Sequence, residues 1–260
     1  MGRPLRELFD AFLRLPGRCW GVPLPHPAVP LLQSLSRAHR ATALHGLRVA
    51  RYAEAIAIHL DISEQDRQAL RTACVLHDVG KADVPRHVLD KPGALTATER
   101  EAMTGHVALG GVRLEGIPGL QRARALLLLH HERPDGLGYP YRLTGAQIPL
   151  AARVLSVADA FDAMTSTRPY RRALDPDEAL GELRRIAGHQ LDGMAVEALL
   201  PRAEALFAST PMQRLLGGGG AGRARGDRGD LGSHLGAALE GGPLLHDQGR
   251  GLDGAEDPRG

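Results

Sequence analysis

The sequence predicts an all-α helical bundle followed by a flexible C-terminal tail. Three observations carry that expectation: apolar residues recur at three- and four-residue intervals, no segment alternates with period two for long enough to make a strand, and several helix starts carry capping signals. With 260 residues and 43% hydrophobic side chains, the chain has enough apolar material for one sizeable core.

Residues 1–30 combine a short amphipathic piece (5–15) with a proline-rich run (22–30) that forbids a continuing helix, and so read as an extension or linker. From Leu31 to Leu60 the helical spacing of Leu35, Ala38, Ala41, Leu44, Leu47, Val49, Ala53 and Ile56 predicts one long helix carrying His45. Ser63 starts a second, with Asp66 as a weaker capping-box partner; it runs to about Val79 and ends at Gly80, placing His77, Asp78 and Lys81 on its last turn and exit. Thr96 with Glu99 caps a third, carrying Met103, His106, Leu109 and Val112. Pro118 opens a fourth, which ends at His130-His131. The span from Ile148 to Met164 is helical by pattern and sets Asp159 and Asp162 on one face. Asp175-Pro176 starts a helix through Ile186, and a last one runs from about Asp192 to Phe207 with Pro201 placed to kink it. Beyond Leu216 glycine dominates and apolar residues are too sparse for a core, so 31–216 reads as the folded domain and 217–260 as a disordered tail.

A net charge of +2, with no basic run interleaved with aromatics, argues against a nucleic-acid polymer as partner. The longest apolar run is far too short for an integral membrane segment. Cys19 and Cys74 lie far apart, Cys74 in an apolar helical segment that suits a buried thiol, and no signal peptide is legible; a cytoplasmic protein is the expectation. Of the 32 basic residues only Lys81 and Lys91 are lysine, which suggests that Lys81 occupies a place where the planar arginine fork does not fit.

The chemistry-bearing pattern is the run from His130 to Pro140, two adjacent histidines followed by an acidic, glycine-punctuated loop, together with His77-Asp78 upstream. Neutral imidazole and carboxylate suit transition metals that hold and activate water, and two such pairs offer ligands for two ions. Adjacent residues at a helix end point about 100° apart, so His130 and His131 can each reach a different ion. Gly136, Gly138 and Pro140 specify the loop's backbone, and Tyr139 is placed either to stack on a base or to pack the loop.

These blocks, in order, resemble those of an HD-GYP domain, the branch of the HD phosphohydrolase superfamily that opens cyclic di-GMP. The resemblance runs through Leu76–Lys81, Lys91–Thr96, the segment around His106, the His130–Pro140 loop and Asp159–Arg171, covering roughly residues 35–208. It implies an HD-type helical bundle and a metal-dependent phosphodiesterase yielding pGpG and/or GMP. His45, His77, Asp78, His106, His130, His131 and Asp159 would be the metal ligands, with Asp78 as the bridge, and His77, Asp78 and Lys81 would carry the chemistry. Lys81, Arg168 and Arg171 would bind substrate phosphates, and Asp162 would support the ligands. The family points to two divalent ions, iron or manganese, while ligand type alone admits zinc. Two such ions would deprotonate a water for in-line attack on phosphorus. A glutamate that binds a third ion in some relatives is replaced here by Ala41. The family's GlyTyrPro loop is also linked to protein partners, including diguanylate cyclase domains. Within these residues no receiver or sensor pattern precedes the family blocks. Two alternatives stay open: hydrolysis of another nucleotide such as cyclic GMP-AMP, and a catalytically silent sensor or interaction module.

Overall fold

The structure, a computed structural model, describes residues 18–19, 22–166 and 173–208. Arg168 and Arg171, the amphipathic piece at 5–15 and the tail at 217–260 lie outside the described residues.

The all-α class holds, with one small departure: β1 (Arg18–Cys19) pairs antiparallel with β2 (Val22–Pro23) over two residues each, too short for any periodicity to announce. Helix α1 covers Ala28–Ala38 and α2 covers Arg40–His59. The single long helix expected here is therefore two, divided at His39, whose backbone is extended (φ −149°, ψ 91°). The His39 side chain caps α2 by accepting from the Thr42 amide, and its Nε2 lies 3.2 Å from Asp90, so a contact with a residue far along the chain accompanies the break. Leu24 and Ala28, before the boundary drawn at residue 31, are buried in the same core as α2.

Helix α3 (Glu64–Leu76) starts at the Ser63 cap and gives way to a 3-10 turn, Val79–Asp83. A short α4 (Arg86–Leu89) leads to α5 (Ala97–Thr104), which opens on the Thr96–Glu99 capping box. The expected third helix is interrupted at Gly105, and α6 (His106–Arg113) turns His106, Val107 and Gly110 inward while leaving Leu109 and Val112 exposed. Helix α7 spans Gln121–Leu127, stopping short of the two histidines. Helix α8 (Leu150–Thr165) is buried from Val154 to Thr165 without interruption, which explains its nearly continuous apolar sequence. Asp175 caps α9 (Pro176–Ile186) with a full capping box. The last expected helix is three pieces, α10 (Gly193–Leu199), a 3-10 turn at Leu200–Arg202 and α11 (Ala203–Ala208), because Pro201 cannot donate to the helical ladder.

Helix α2 packs along both α3 and α8, α3 also meets α7 and α8, and α6 lies against the 3-10 turn that follows α3. This arrangement brings one end of α3, the start of α6, the exit of α7 and the middle of α8 to one place beside His45 of α2. Cys74, one turn before His77, is fully buried in that core, and burial pushes its thiol well above the ordinary range. No helix among the described residues is long and apolar enough to cross a membrane.

Candidate metal centre

Two groups of ligand atoms face one another in the interior. His45, His77 and Asp78 form one and His106, His130 and His131 the other; within each, the donor atoms lie within 4.8 Å of one another. Asp159 from α8 joins the first group, its Oδ1 2.9 Å from His45 Nε2 and 3.8 Å from His77 Nε2. All seven residues proposed as ligands from sequence are thus gathered together.

Helix ends fix the rings. His77, His106 and His130 each follow a helical turn, and each donates Nδ1–H to the carbonyl three residues back: Cys74 at 2.8 Å, Met103 at 2.6 Å and Leu127 at 2.6 Å. A carbonyl only accepts, so Nδ1 carries a proton in each ring and Nε2 is the atom left to point into the centre. His45 is held in the same tautomer by Asp162, whose Oδ2 accepts its Nδ1–H at 2.6 Å. Such outer partners orient ligands and raise their basicity.

Asp78 stands between the groups. Its Oδ1 is 3.3 Å from His106 Nε2; its Oδ2 is 3.4 Å from His77 Nε2, 4.0 Å from His45 Nε2 and accepts from Lys81 Nζ at 2.7 Å. Oδ1 is buried and accepts no hydrogen bond. With the His106 proton committed to Met103, lone pair faces lone pair across that 3.3 Å gap, and His106 Nε2 faces His130 Nε2 in the same way at 3.4 Å. Two acceptors turned toward each other in a buried site are costly unless a cation lies between them. The donor set and this orphaned oxygen fit divalent metal.

The two groups differ in charge. Burial opposes charge on His77, yet the Asp78 and Asp159 carboxylates outweigh it and raise that ring to about 9. Burial likewise opposes ionisation of Asp78, Asp159 and Asp162, but neighbouring histidines and, around them, Lys81 and Arg48 hold all three well below the usual carboxylate range. His130 is pushed down to about 3 by burial and by the His77 and His106 rings, and His131 falls well below its ordinary value through burial and the His130 and His106 rings. One side is therefore carboxylate-rich, and on the other His130 and His131 are neutral imidazoles ready to act as ligands.

The His130–Pro140 loop folds back on this centre. Gly136 takes φ +76°, and a Cβ on Gly138 would sit 2.5 Å from the His131 carbonyl oxygen, so the backbone crosses itself where only glycine fits. Tyr139 donates its amide to the same carbonyl at 3.1 Å, and its ring stacks on the His131 ring at 4.7 Å. Sequence reasoning missed two residues here. Glu132, 2% exposed, accepts from the backbone amides of Tyr141 (2.6 Å) and Leu143 (2.9 Å) and so pins the far side of the loop. Arg48 grips Asp162 with a two-pronged contact, Nε to Oδ1 at 2.7 Å and Nη2 to Oδ2 at 2.8 Å. Its three-residue spacing from His45 was the available signal.

A helical core on which histidines and aspartates converge from five elements is the arrangement of a histidine–aspartate domain. A family model described as HD domain matches residues 29–194, and the chain belongs to that family, within its HD-GYP branch. It is 42% identical over 155 residues to the cyclic di-GMP phosphodiesterase response regulator RpfG of Xanthomonas campestris, covering 59% of this chain and 41% of that protein. It is 42% identical over 139 residues to the 3'3'-cGAMP-specific phosphodiesterase 3 of Vibrio cholerae, covering 54% and 30% of the two chains. A cyclic di-GMP phosphodiesterase of Thermotoga maritima is 38% identical over 161 residues, covering 61% and 44%. The matched region thus spans less than half the length of these relatives. Among solved structures, the HDG"Y"P protein Bd1817 of Bdellovibrio bacteriovorus shares the fold with a TM-score of 0.54 at 19% identity, over 63% of this chain and 52% of that one.

Proposed function

We propose that this chain is a metal-dependent phosphodiesterase that hydrolyses cyclic di-GMP to pGpG and/or GMP, with the helical domain, read from the sequence as 31–216 and packed from Leu24 onward, carrying the activity. The observation that carries the reading is Asp78, a buried carboxylate with one oxygen toward each of two complete ligand groups. His45, His77, Asp78 and Asp159 would hold one ion and Asp78, His106, His130 and His131 the other. The chemistry such ions supply when bound is Lewis acidity toward water and phosphate oxygens, with iron or manganese the expected occupants. The buried helix ends exclude bulk water and keep each Nε2 aimed at the centre without further reorganisation. Lys81, half-buried at the rim, holds a cation beside Asp78 where a substrate phosphate would enter. Arg168 and Arg171 belong to the same proposal on the strength of the motif alone. A second reading, hydrolysis of 3'3'-cyclic GMP-AMP, has the support of an equally identical relative of that activity.

The test is direct. Protein loaded with Mn²⁺ or Fe²⁺ is incubated with each cyclic dinucleotide and the products are resolved chromatographically, alongside elemental analysis. We expect linear product from cyclic di-GMP and about two metal ions per chain, the number two ligand groups sharing one bridge provide. No product from either dinucleotide would end the proposal, and a reproducible third ion would overturn the reading of Ala41.

Lys81→Ala should leave metal content intact while kcat/KM falls about 10- to 150-fold, the equivalent of roughly 1.5 to 3 kcal/mol for a charged contact to phosphate. Lys81→Arg should also lose activity, because the guanidinium is too broad for the place an ammonium takes 2.7 Å from Asp78. Wild-type kinetics in Lys81→Arg would refute the need for a compact cation; loss of metal in Lys81→Ala would move the residue's role to the centre itself.

A further inference from the structure

We propose that Arg48 and Asp162 form a positioning pair that aims His45 and thereby sets metal affinity on one side of the centre only, an inference that rests on the metal-centre reading above. On α2, His45 and Arg48 are three residues apart on one face; on α8, Asp159 and Asp162 are three apart on the face opposite. The two helices thus carry matched rungs. His45 meets Asp159 through Nε2 at 2.9 Å, Arg48 meets Asp162 through a planar fork, and a diagonal contact from His45 Nδ1 to Asp162 at 2.6 Å joins the rungs. Ser166 closes the cluster, accepting from Arg48 Nη2 at 3.2 Å and lying 3.3 Å from Asp162 Oδ2.

The fork matters because it occupies both Asp162 oxygens at once. Asp162 is 1% exposed, and a carboxylate so buried needs a partner to remain ionised and fixed in angle. The guanidinium supplies both in one rigid group, so the oxygen that receives the His45 proton has no freedom to swing. A swing there would tilt the ring and carry Nε2 away from the atoms it shares with His77 and Asp78. His106 and His130 are tied to backbone carbonyls instead and His131 is packed on Tyr139, and among the described residues none of the three contacts Arg48 or Asp162. The influence of the pair should therefore be one-sided.

Mn²⁺ binding by equilibrium dialysis of the full chain separates this from a merely structural role. Asp162→Asn and Arg48→Met are expected to weaken one of the two Mn²⁺ equivalents about 10- to 100-fold while the other keeps its affinity. Arg48→Lys, which retains the cation without the fork, should fall between them and the wild type and is the deciding variant if Arg48→Met does not fold. Leu183→Ala, a fully buried core truncation on α9, controls for destabilisation and should lower Tm without changing either affinity. Wild-type affinity for both equivalents in Asp162→Asn and Arg48→Lys would overturn the proposal, as would equal weakening of both. A wild-type chain that binds no Mn²⁺, Fe²⁺ or Zn²⁺ at all would remove the metal-centre reading itself, and this inference with it.

Discussion

Asp78→Ala should empty the centre and abolish turnover, with kcat/KM reduced at least about a thousandfold, which is roughly 4 kcal/mol of transition-state stabilisation. Asp78 is the residue whose carboxylate contacts both ligand groups, so its removal takes a donor from each at once and leaves no shared atom between them. The same substitution should also lower the stability of the metal-free fold at neutral pH. Desolvation opposes charge on Asp78, but the His77 ring and Lys81 outweigh it and hold the carboxyl well below the usual range, so the ionised group contributes stability that is present above the ordinary carboxylate range and lost as pH falls below it. Thermal melts in chelator should therefore place Asp78→Ala below the wild type at neutral pH, with the gap narrowing on acidification. Asp78→Asn separates charge from shape: the amide fills the space but puts a donor where one lone pair was needed, and it should be as inactive as alanine. Retention of most of the activity in either variant would show that the bridge lies elsewhere.

The candidate ligands are legible because the chain spells them in contiguous runs: His77-Asp78 at a helix exit, His130-His131 before a glycine-rich loop, Asp159 on a helix apolar on every other face. Helix starts were legible where a cap was written out, as at Ser63, Thr96 and Asp175. What the sequence concealed was decided at a distance. Helical periodicity continues through His39 without a proline or glycine, and the break there is accompanied by contacts to Thr42 and to Asp90, 51 residues on. Arg48 was lost among many arginines of a chain whose basic residues are almost all of that type, and its partner Asp162 lies 114 residues away. Glu132 read as one more acid in a polar loop, although it is the buried acceptor that turns the loop back toward His131. A local pattern states which atoms can ligate; which side chains hold those atoms still depends on pairs that only the packed helices bring together.

Gly80→Ala should prove nearly as damaging as loss of a ligand, though Gly80 carries no donor to the centre. A Cβ built there would lie 2.0 Å from the His106 carbonyl oxygen and 2.6 Å from the Gly110 amide nitrogen. Both are backbone atoms of α6, so no rotamer change can make room, and the 3-10 turn after Asp78 and the helix carrying His106 must separate. Overpacking of a core usually costs about 1 to 3 kcal/mol, and a clash of backbone with side-chain root belongs at or above the top of that range. For a folded unit of this size about 3 kcal/mol corresponds to a fall in Tm of roughly 6 to 12 °C. The separation acts on function by a stated route: it widens the 3.3 Å approach of His106 Nε2 to Asp78 Oδ1, the contact through which the bridge reaches the three-histidine group. Metal retention should then fall even at temperatures where the variant is folded, and the loss should begin with the ion on the His106 side. Gly93→Ala is the matched control, since a Cβ there meets nothing within 4 Å, and it should stay within about 0.5 kcal/mol of the wild type with full metal content. A Gly80→Ala protein with wild-type Tm and two retained ions would mean that α6 and the turn can part without disturbing the centre, and that their close approach is not what holds His106 against Asp78.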